Sequence, residues 1–241
     1  MDARYVLLLT ATVAPGETPY LTLKDPARRE AQYLEALARW CGALPPEWAI
    51  VVAENSGRPA APFVEVGRRA DRVVHFLECA DRGSESGKGV GEAGLIDDFS
   101  QSEIAAGCEW IFKCTGRLFV PNVGACLPPL EGEGVCAAIV PSLAHMDSRF
   151  FGASREVFRE HFTGMGAEIE EDDGVYMEHV AARRMLAALA AGHAFRPFPT
   201  LPYVAGQSAS LGTTYDGAGT RLKTLLRERV RRVMVEREIL I

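Results

Sequence analysis

The sequence predicts an α/β fold, a single domain whose central, mostly parallel sheet carries helices on its faces. Three observations predict it. Short apolar runs such as YVLLLTATV and WAIVVAE are continuous rather than alternating, the pattern of strands buried on both faces. They are separated by stretches of helical period with capping signals. The 241 residues are 48% hydrophobic and 24% charged, enough apolar material for one large core.

Residues 5–13 read as the first strand, closed by Pro15 and Gly16. Asp25 and Pro26 suit a helix N-cap and first helical position. Ala27, Ala31, Leu34, Ala38 and Cys41 follow at helical spacing, and Pro45–Pro46 stops the helix. Residues 48–57 form the second strand and 72–80 the third, with a helix over 94–107. EWIFKCTGRLFV (109–120) is the fourth strand, interrupted by Thr115-Gly116-Arg117, and residues 135–141 form another. HMDSRFFGAS (145–154) runs into a helix around REVFREHF. Residues 170–192 form a long helix whose acidic start favours the positive end of its dipole, with Gly192 as C-cap. The tail 221–241 has the pattern of an amphipathic helix.

Composition excludes several classes. A net charge of −6 disfavours nucleic acid as a partner. No apolar stretch approaches the roughly 20 residues of a membrane helix, and the N-terminus lacks a basic signal-peptide region. The six cysteines contain no CxxC pair, so six reduced thiols in a cytoplasmic protein are expected, with no zinc site at these spacings and no redox cofactor. The tail has seven basic and three acidic residues. Peripheral contact with an anionic membrane is one reading of it; packing of the helix on the domain is the other.

The glycine-rich stretch GSESGKGVGEAG (83–94) raises nucleotide binding, yet departs from the common loops. A Walker A loop needs one more residue before its lysine and a hydroxyl residue after it. A dinucleotide fingerprint would follow the first strand. Alone, this is a turn whose glycines supply positive φ.

Its companions change that reading. VVAENSG, GKGVGE, FKCTGRLFVPN, DSRFFGAS and GVYMEH, in this order, resemble the elements of bacterial GT-A-type glycosyltransferases and cover roughly residues 5–185. The resemblance implies a nucleotide-binding half (1–122) and an acceptor-binding half (123–241). It further implies transfer of a sugar from a nucleotide-diphosphate donor, a UDP-sugar by preference, to a polysaccharide or lipid-linked acceptor. GT-A enzymes usually carry Asp-x-Asp after the central strand, where it holds Mn or Mg with the diphosphate. Thr115-Gly116-Arg117 stands there, which places the divalent metal in doubt and leaves a non-catalytic sugar-nucleotide or partner-binding module as an alternative. A nucleotidyltransferase is a further one.

Chemistry assigns the roles. Thr10, Thr12, Glu54 and Asn55 lie at strand ends where base or ribose would bind; an Asx turn with Gly57 is the alternative for Glu54 and Asn55. Lys88 and Arg117 are the diphosphate candidates. Arg117, inside an apolar run, needs an anion or a salt bridge to Glu109 or Glu54, and strand alternation puts Lys113 on its face. Asn122 and Arg149 are further donor contacts. Asp147 would hold the donor sugar, or bind metal with His145 as the second ligand, or pair with Arg149. Glu178 is the candidate base for the acceptor hydroxyl if the reaction inverts, ahead of Asp172 and Asp173, which suit a helix N-terminus.

Overall fold

The computed structural model describes residues 4–19, 21–83 and 86–207; the tail 221–241, with its predicted helix and membrane contact, lies outside them. The chain runs through β1 (Tyr5–Ala11), α1 (Pro26–Ala43), β2 (Trp48–Glu54), α2 (Ala61–Arg69), β3 (Val74–Glu78), α3 (Lys88–Ser100), α4 (Glu103–Ala106) and β4 (Trp110–Thr115). It continues through β5 (Leu118–Phe119), α5 (Val123–Cys126), β6 (Gly134–Cys136), β7 (Phe150–Ser154), α6 (Arg155–His161), α7 (Met177–Ala190), β8 (Ala194–Phe195) and β9 (Ala205–Gly206). No helix of the described residues is long and apolar enough to cross a membrane.

One mixed sheet carries strands from both halves of the chain, in the order β3-β2-β1-β4-β7-β6-β8. β3, β2, β1 and β4 are parallel, and β7 runs antiparallel to both β4 and β6. A second, two-stranded ribbon pairs β5 with β9. The alternation of β1 splits the core into two layers. Val6 and Leu8 face α3, α6 and α7, while Leu7 and Leu9 face α1 and α2. Trp40 and Trp110, both fully buried, anchor the second layer.

This arrangement locates the site before any side chain is considered. The chain leaves β1 through α1 on one layer and enters β4 through α3 on the other. The carboxyl ends of β1 and β4 therefore diverge into a crevice at a topological switch point, where open α/β sheets bind ligands.

Most predicted strands are present, and several boundaries differ. Helix α2 is an addition between β2 and β3; its nine residues hide only Phe63 and Gly67, too short an apolar stripe to read. Asp25 and Pro26 open α1 as expected, with Asp25 Oδ1 accepting from the Arg28 amide at 2.7 Å. The buried stripe, however, is Arg29, Tyr33, Ala36, Leu37, Trp40 and Cys41; Ala27, Ala31 and Ala38 are exposed. Alanine fits either side of a helix, so the large side chains mark the inner face. Helix α3 starts at Lys88 rather than at residue 94 and ends at Ser100. Gly87, at φ 140°, turns the chain into it, and a Cβ there would lie 2.6 Å from the Glu171 carboxyl. Residues 150–154 are a strand whose glycine lies flat on Phe112. Residues 171–173 form a separate 3-10 turn, so Asp172 and Asp173 do not cap α7, which begins at Met177. Gly192, at φ 99°, reverses the chain after α7 as expected.

Candidate functional site

The crevice between β1 and β4 is lined from three sides. The strand ends supply Thr10, Thr12 and Thr115; α1 supplies Arg29 and Tyr33; α3 supplies Lys88, Gly91 and Glu92. Arg117 closes it from the turn after β4, while Pro15, Thr18 and Leu21 in the β1–α1 loop form one wall.

Its floor is a buried ion pair. Lys113, fully buried on β4, lies 2.7 Å from Glu92 Oε1 and donates to the Ser148 carbonyl at 2.7 Å. Thr10 Oγ1 and Thr115 Oγ1 donate to the same carboxylate oxygen at 2.7 and 3.0 Å. Burial pushes the Glu92 carboxyl up, but Lys113, Lys88 and these hydrogen bonds outweigh it and hold it at about 2. Lys113 thus neutralises Glu92 and locks the ends of β1 and β4 together.

Above the floor the charge is positive. Arg29 donates through Nε to the Thr12 carbonyl at 2.9 Å, through Nη1 to the Leu23 carbonyl at 3.2 Å and through Nη2 to the Tyr33 hydroxyl at 3.2 Å. Arg117 donates through Nη1 to Gln32 Oε1 at 3.0 Å and to the Gln207 carbonyl at 3.3 Å. Both guanidiniums stand 5.8 Å from the centroid of the Tyr33 ring, and both residues are 4% exposed. Among the described residues neither forms a salt bridge, and Arg117 Nε has no hydrogen-bond partner. Burial lowers the Arg29 pKa, and the charge of Arg117 adds to that effect. Glu54 offsets part of it from behind the crevice. Two buried cations with no carboxylate paired to either among the described residues are costly, by several kcal/mol per ion. An anion in the crevice would offset that cost, and arginine forks match phosphate oxygens in pairs.

The sequence candidates divide accordingly. Thr10, Thr12, Lys88 and Arg117 line the crevice. Lys113 lies beneath it and is not on the face of Arg117. Alternation ends at Thr115, because Gly116 turns the chain: a Cβ there would meet the Thr10 carbonyl at 2.8 Å and the Tyr33 ring at 3.1 Å. The proposed partners of Arg117 are engaged elsewhere. Glu109 pairs with Arg4 at 2.6 Å. Glu54, 0% exposed, accepts from the amides of Val13, Ser56 and Arg58 at 3.0 Å each, and from the Ser56 hydroxyl. It shapes the loops behind the crevice instead of reaching into it. Asn55 accepts from Thr12 Oγ1 at 2.6 Å. Asn122 holds residues 201–203, donating to the Leu201 carbonyl at 3.0 Å and accepting from the Tyr203 amide at 2.8 Å.

The second cluster lies on the β7 side of the floor. Arg149 clamps Asp147 at 2.8 and 2.6 Å, the pairing weighed from the sequence. Ser148 Oγ donates to Glu178 Oε1 at 2.8 Å, while the Ser148 carbonyl receives Lys113. Ser148 therefore joins the half-buried carboxylate of Glu178 to the floor of the crevice. His145 stands edge-on to His179, with ring centroids 5.9 Å apart.

Arg29 and Tyr33 carry no role in the sequence reading, and Glu92 and Thr115 enter it only as members of GKGVGE and of the Thr115-Gly116-Arg117 element. The signal was present for two of them: an arginine four residues before a tyrosine on the stripe that ends in Trp40. The GKG turn contributes Lys88, but not an open helix N-terminus. The Gly89 amide donates to Glu171 Oε1 at 2.6 Å, so the chain's own carboxylate occupies it.

The crevice does not fit Mn or Mg held with a diphosphate. Its only carboxylate among the described residues is Glu92, already neutralised by Lys113, and the neighbouring charges are Arg29, Arg117 and Lys88. Asp147, clamped by Arg149, is likewise a poor ligand for a metal shared with His145. All six cysteines are free and buried.

No protein-family profile and no curated protein matches the chain. Among solved structures, it is similar to a protein described as a nucleotide-diphospho-sugar transferase from Desulfovibrio desulfuricans G20. The TM-score is 0.49 at 10% identity, over 81% of this chain and 79% of that one. It is also similar to the glycosyltransferase GlyE of Streptococcus pneumoniae TIGR4, with a TM-score of 0.48 at 12% identity, over 82% of this chain. The match spans 45% of GlyE, less than half its length.

Proposed function

We propose that the chain is a metal-independent glycosyltransferase that draws a sugar from a nucleoside-diphosphate donor, a UDP-sugar by preference. The observation that carries this reading is the pair Arg29–Arg117, buried over Tyr33 at the switch point with no salt bridge among the described residues. It has the character of a diphosphate site, and Lys88 adds a third cation. The order of the five sequence elements supports the same reading.

In this reaction the acceptor hydroxyl attacks the anomeric carbon as the bond to the diphosphate oxygen breaks. The hydroxyl proton passes to Glu178, whose carboxylate is held by Ser148. The charge that grows on the leaving diphosphate is met by Arg29, Arg117 and Lys88, in place of the metal that Asp-x-Asp would hold. Thr12, Thr18 and the apolar surfaces of Pro15 and Leu21 suit a nucleoside. Asp147, fixed by Arg149, suits the hydroxyls of the donor sugar. The acceptor, polysaccharide or lipid-linked, is expected on the Glu178 side. A second reading, a binding module without turnover, is favoured by the neutralised Glu92. A nucleotidyltransferase would need a pair of acidic metal ligands, and the described residues of the crevice supply only Glu92.

The test is a thermal-shift panel with UDP, GDP, CMP, ADP and their sugars, with and without manganese, on wild type and Arg117→Ala. One nucleoside diphosphate should stabilise the wild type without manganese, and not the variant. Absence of any shift at millimolar concentration would overturn the donor site. Binding without donor turnover would select the binding module.

A further inference from the structure

We propose that Glu160, His161 and His193 form a binding site for a divalent metal of the zinc class at the β8 edge of the sheet. This site is separate from the crevice, since β8 lies three strands beyond β4.

The trio is made by the fold. Glu160 and His161 end α6, and His193 follows the Gly192 turn that leaves α7 for β8. One ligand atom from each lies within 4.8 Å of the others. The two imidazoles meet edge-on with centroids 5.6 Å apart, and His161 Nε2 stands 3.9 Å from Glu160 Oε1. Zinc bonds of about 2.0–2.1 Å place neighbouring ligand atoms roughly 3.3–3.5 Å apart. From at most 4.8 Å the set must contract by up to about 1.4 Å, shared between the exposed Glu160 side chain and the His193 ring.

A second observation points to a ligand. His161 is 8% exposed, yet its Nε2 has no hydrogen-bond partner among the described residues. A buried polar atom left so is unfavourable, and a metal would satisfy it. His193 is prepared in the complementary way. Its Nδ1 lies 3.2 Å from Glu133 Oε2. A carboxylate on one imidazole nitrogen fixes the tautomer and raises the basicity of the other, the usual support of a metal-bound histidine. The C-terminal end of α6 also favours a cation. Two imidazoles with one carboxylate select zinc over magnesium, and leave a fourth position open.

The consequence is structural. Strand β8 has two residues, both exposed, and pairs only with β6 among the described residues. A metal joining α6 to the turn before β8 would tether this edge strand to the helix layer.

The experiment uses the full chain, stripped with chelator and desalted, titrated calorimetrically with zinc chloride and separately with magnesium chloride. One zinc per chain is expected. A melting temperature about 5–10 °C higher is expected with free zinc a hundredfold above Kd, with no response to magnesium. Glu160→Ala, at an exposed position, and His193→Ala, at a half-buried one, should each weaken zinc binding at least tenfold; His145→Ala should leave it unchanged. Failure of the wild type to take up zinc would overturn the proposal. So would uptake that survives both variants or is lost in His145→Ala.

Discussion

Replacing Lys113 with methionine tests whether the floor of the crevice is an ion pair that holds β1 to β4. In the wild type, Glu92 titrates at about 2 instead of 4.5. At about 1.4 kcal/mol per pH unit, that depression corresponds to about 3 kcal/mol of stability. Because the folded pKa is depressed, the stability is present above pH 4.5 and is lost as pH falls towards 2. Methionine keeps the volume but leaves Glu92 buried, with only Thr10 and Thr115 donating to Oε1. Removing one partner of a buried pair costs about 3–5 kcal/mol, and that is the loss expected at pH 7.5. In the variant the sign of the linkage reverses. Without Lys113, burial is opposed only by Lys88 and the threonine hydrogen bonds and pushes the folded Glu92 carboxyl up, so its neutral form is favoured at low pH and penalised as pH rises. The difference between wild type and variant should therefore be smaller at pH 5 than at pH 7.5. Adding Glu92→Gln should recover a large share of the loss at pH 7.5.

Urea unfolding followed by tryptophan fluorescence measures this directly, since Trp40, Trp48 and Trp110 are all buried in one core layer. A loss below about 1 kcal/mol, or one equal at the two pH values, would refute the ion-pair account.

Three further outcomes are expected. Gly116→Ala drives a Cβ to 2.8 Å from the Thr10 carbonyl; it should cost about 1–3 kcal/mol and weaken nucleotide binding, both read by thermal shift with and without nucleotide. Glu178→Gln keeps the hydrogen bond from Ser148. It should leave donor binding intact while lowering turnover by about 10²–10⁴-fold, and unchanged turnover would remove Glu178 as the base. Thiol titration in native buffer should be slow, because burial pushes Cys79, Cys114 and Cys126 up to about 12 and Cys108 up to about 11. All six cysteines should react in urea, and fast native labelling would contradict their burial.

What the sequence disclosed follows from how strongly each feature is written locally. The strands β1, β2 and β4 are continuous apolar runs, and Asp25-Pro26 and Pro45-Pro46 bracket α1, so these elements were legible. Helix α2 and strand β7 owe their place to tertiary contacts: Phe63 packing on Phe76, and Gly152 lying against Phe112. The site residues divide in the same way. Arg117 stood out because a charge in an apolar run demands a partner. Arg29 did not, because a charged residue near a helix start is ordinarily solvated and only the packing of α1 buries it.

The two arginines also explain why the missing Asp-x-Asp need not mean a dead site. An acidic pair after the central strand requires a cation before it can face a diphosphate. Here the residue in that turn is itself the cation, and Gly116 brings the turn close enough for Arg117 to stand, like Arg29, 5.8 Å from the Tyr33 ring centroid. The one acidic group lining the crevice among the described residues, Glu92, is turned downwards onto Lys113, where it joins β1 to β4 and does not oppose an incoming anion. On the function proposed above, exchanging metal ligands for fixed guanidiniums would make donor binding independent of metal supply. It would also make binding dependent on two cations held close together at their own cost. An empty crevice should therefore be the least stable part of the domain, and nucleotide should protect the amides of α1 and of the Thr115–Arg117 turn more than those of β2 and β3. Hydrogen exchange with and without the stabilising nucleotide reads that difference; uniform protection would argue against a diphosphate seated between Arg29 and Arg117.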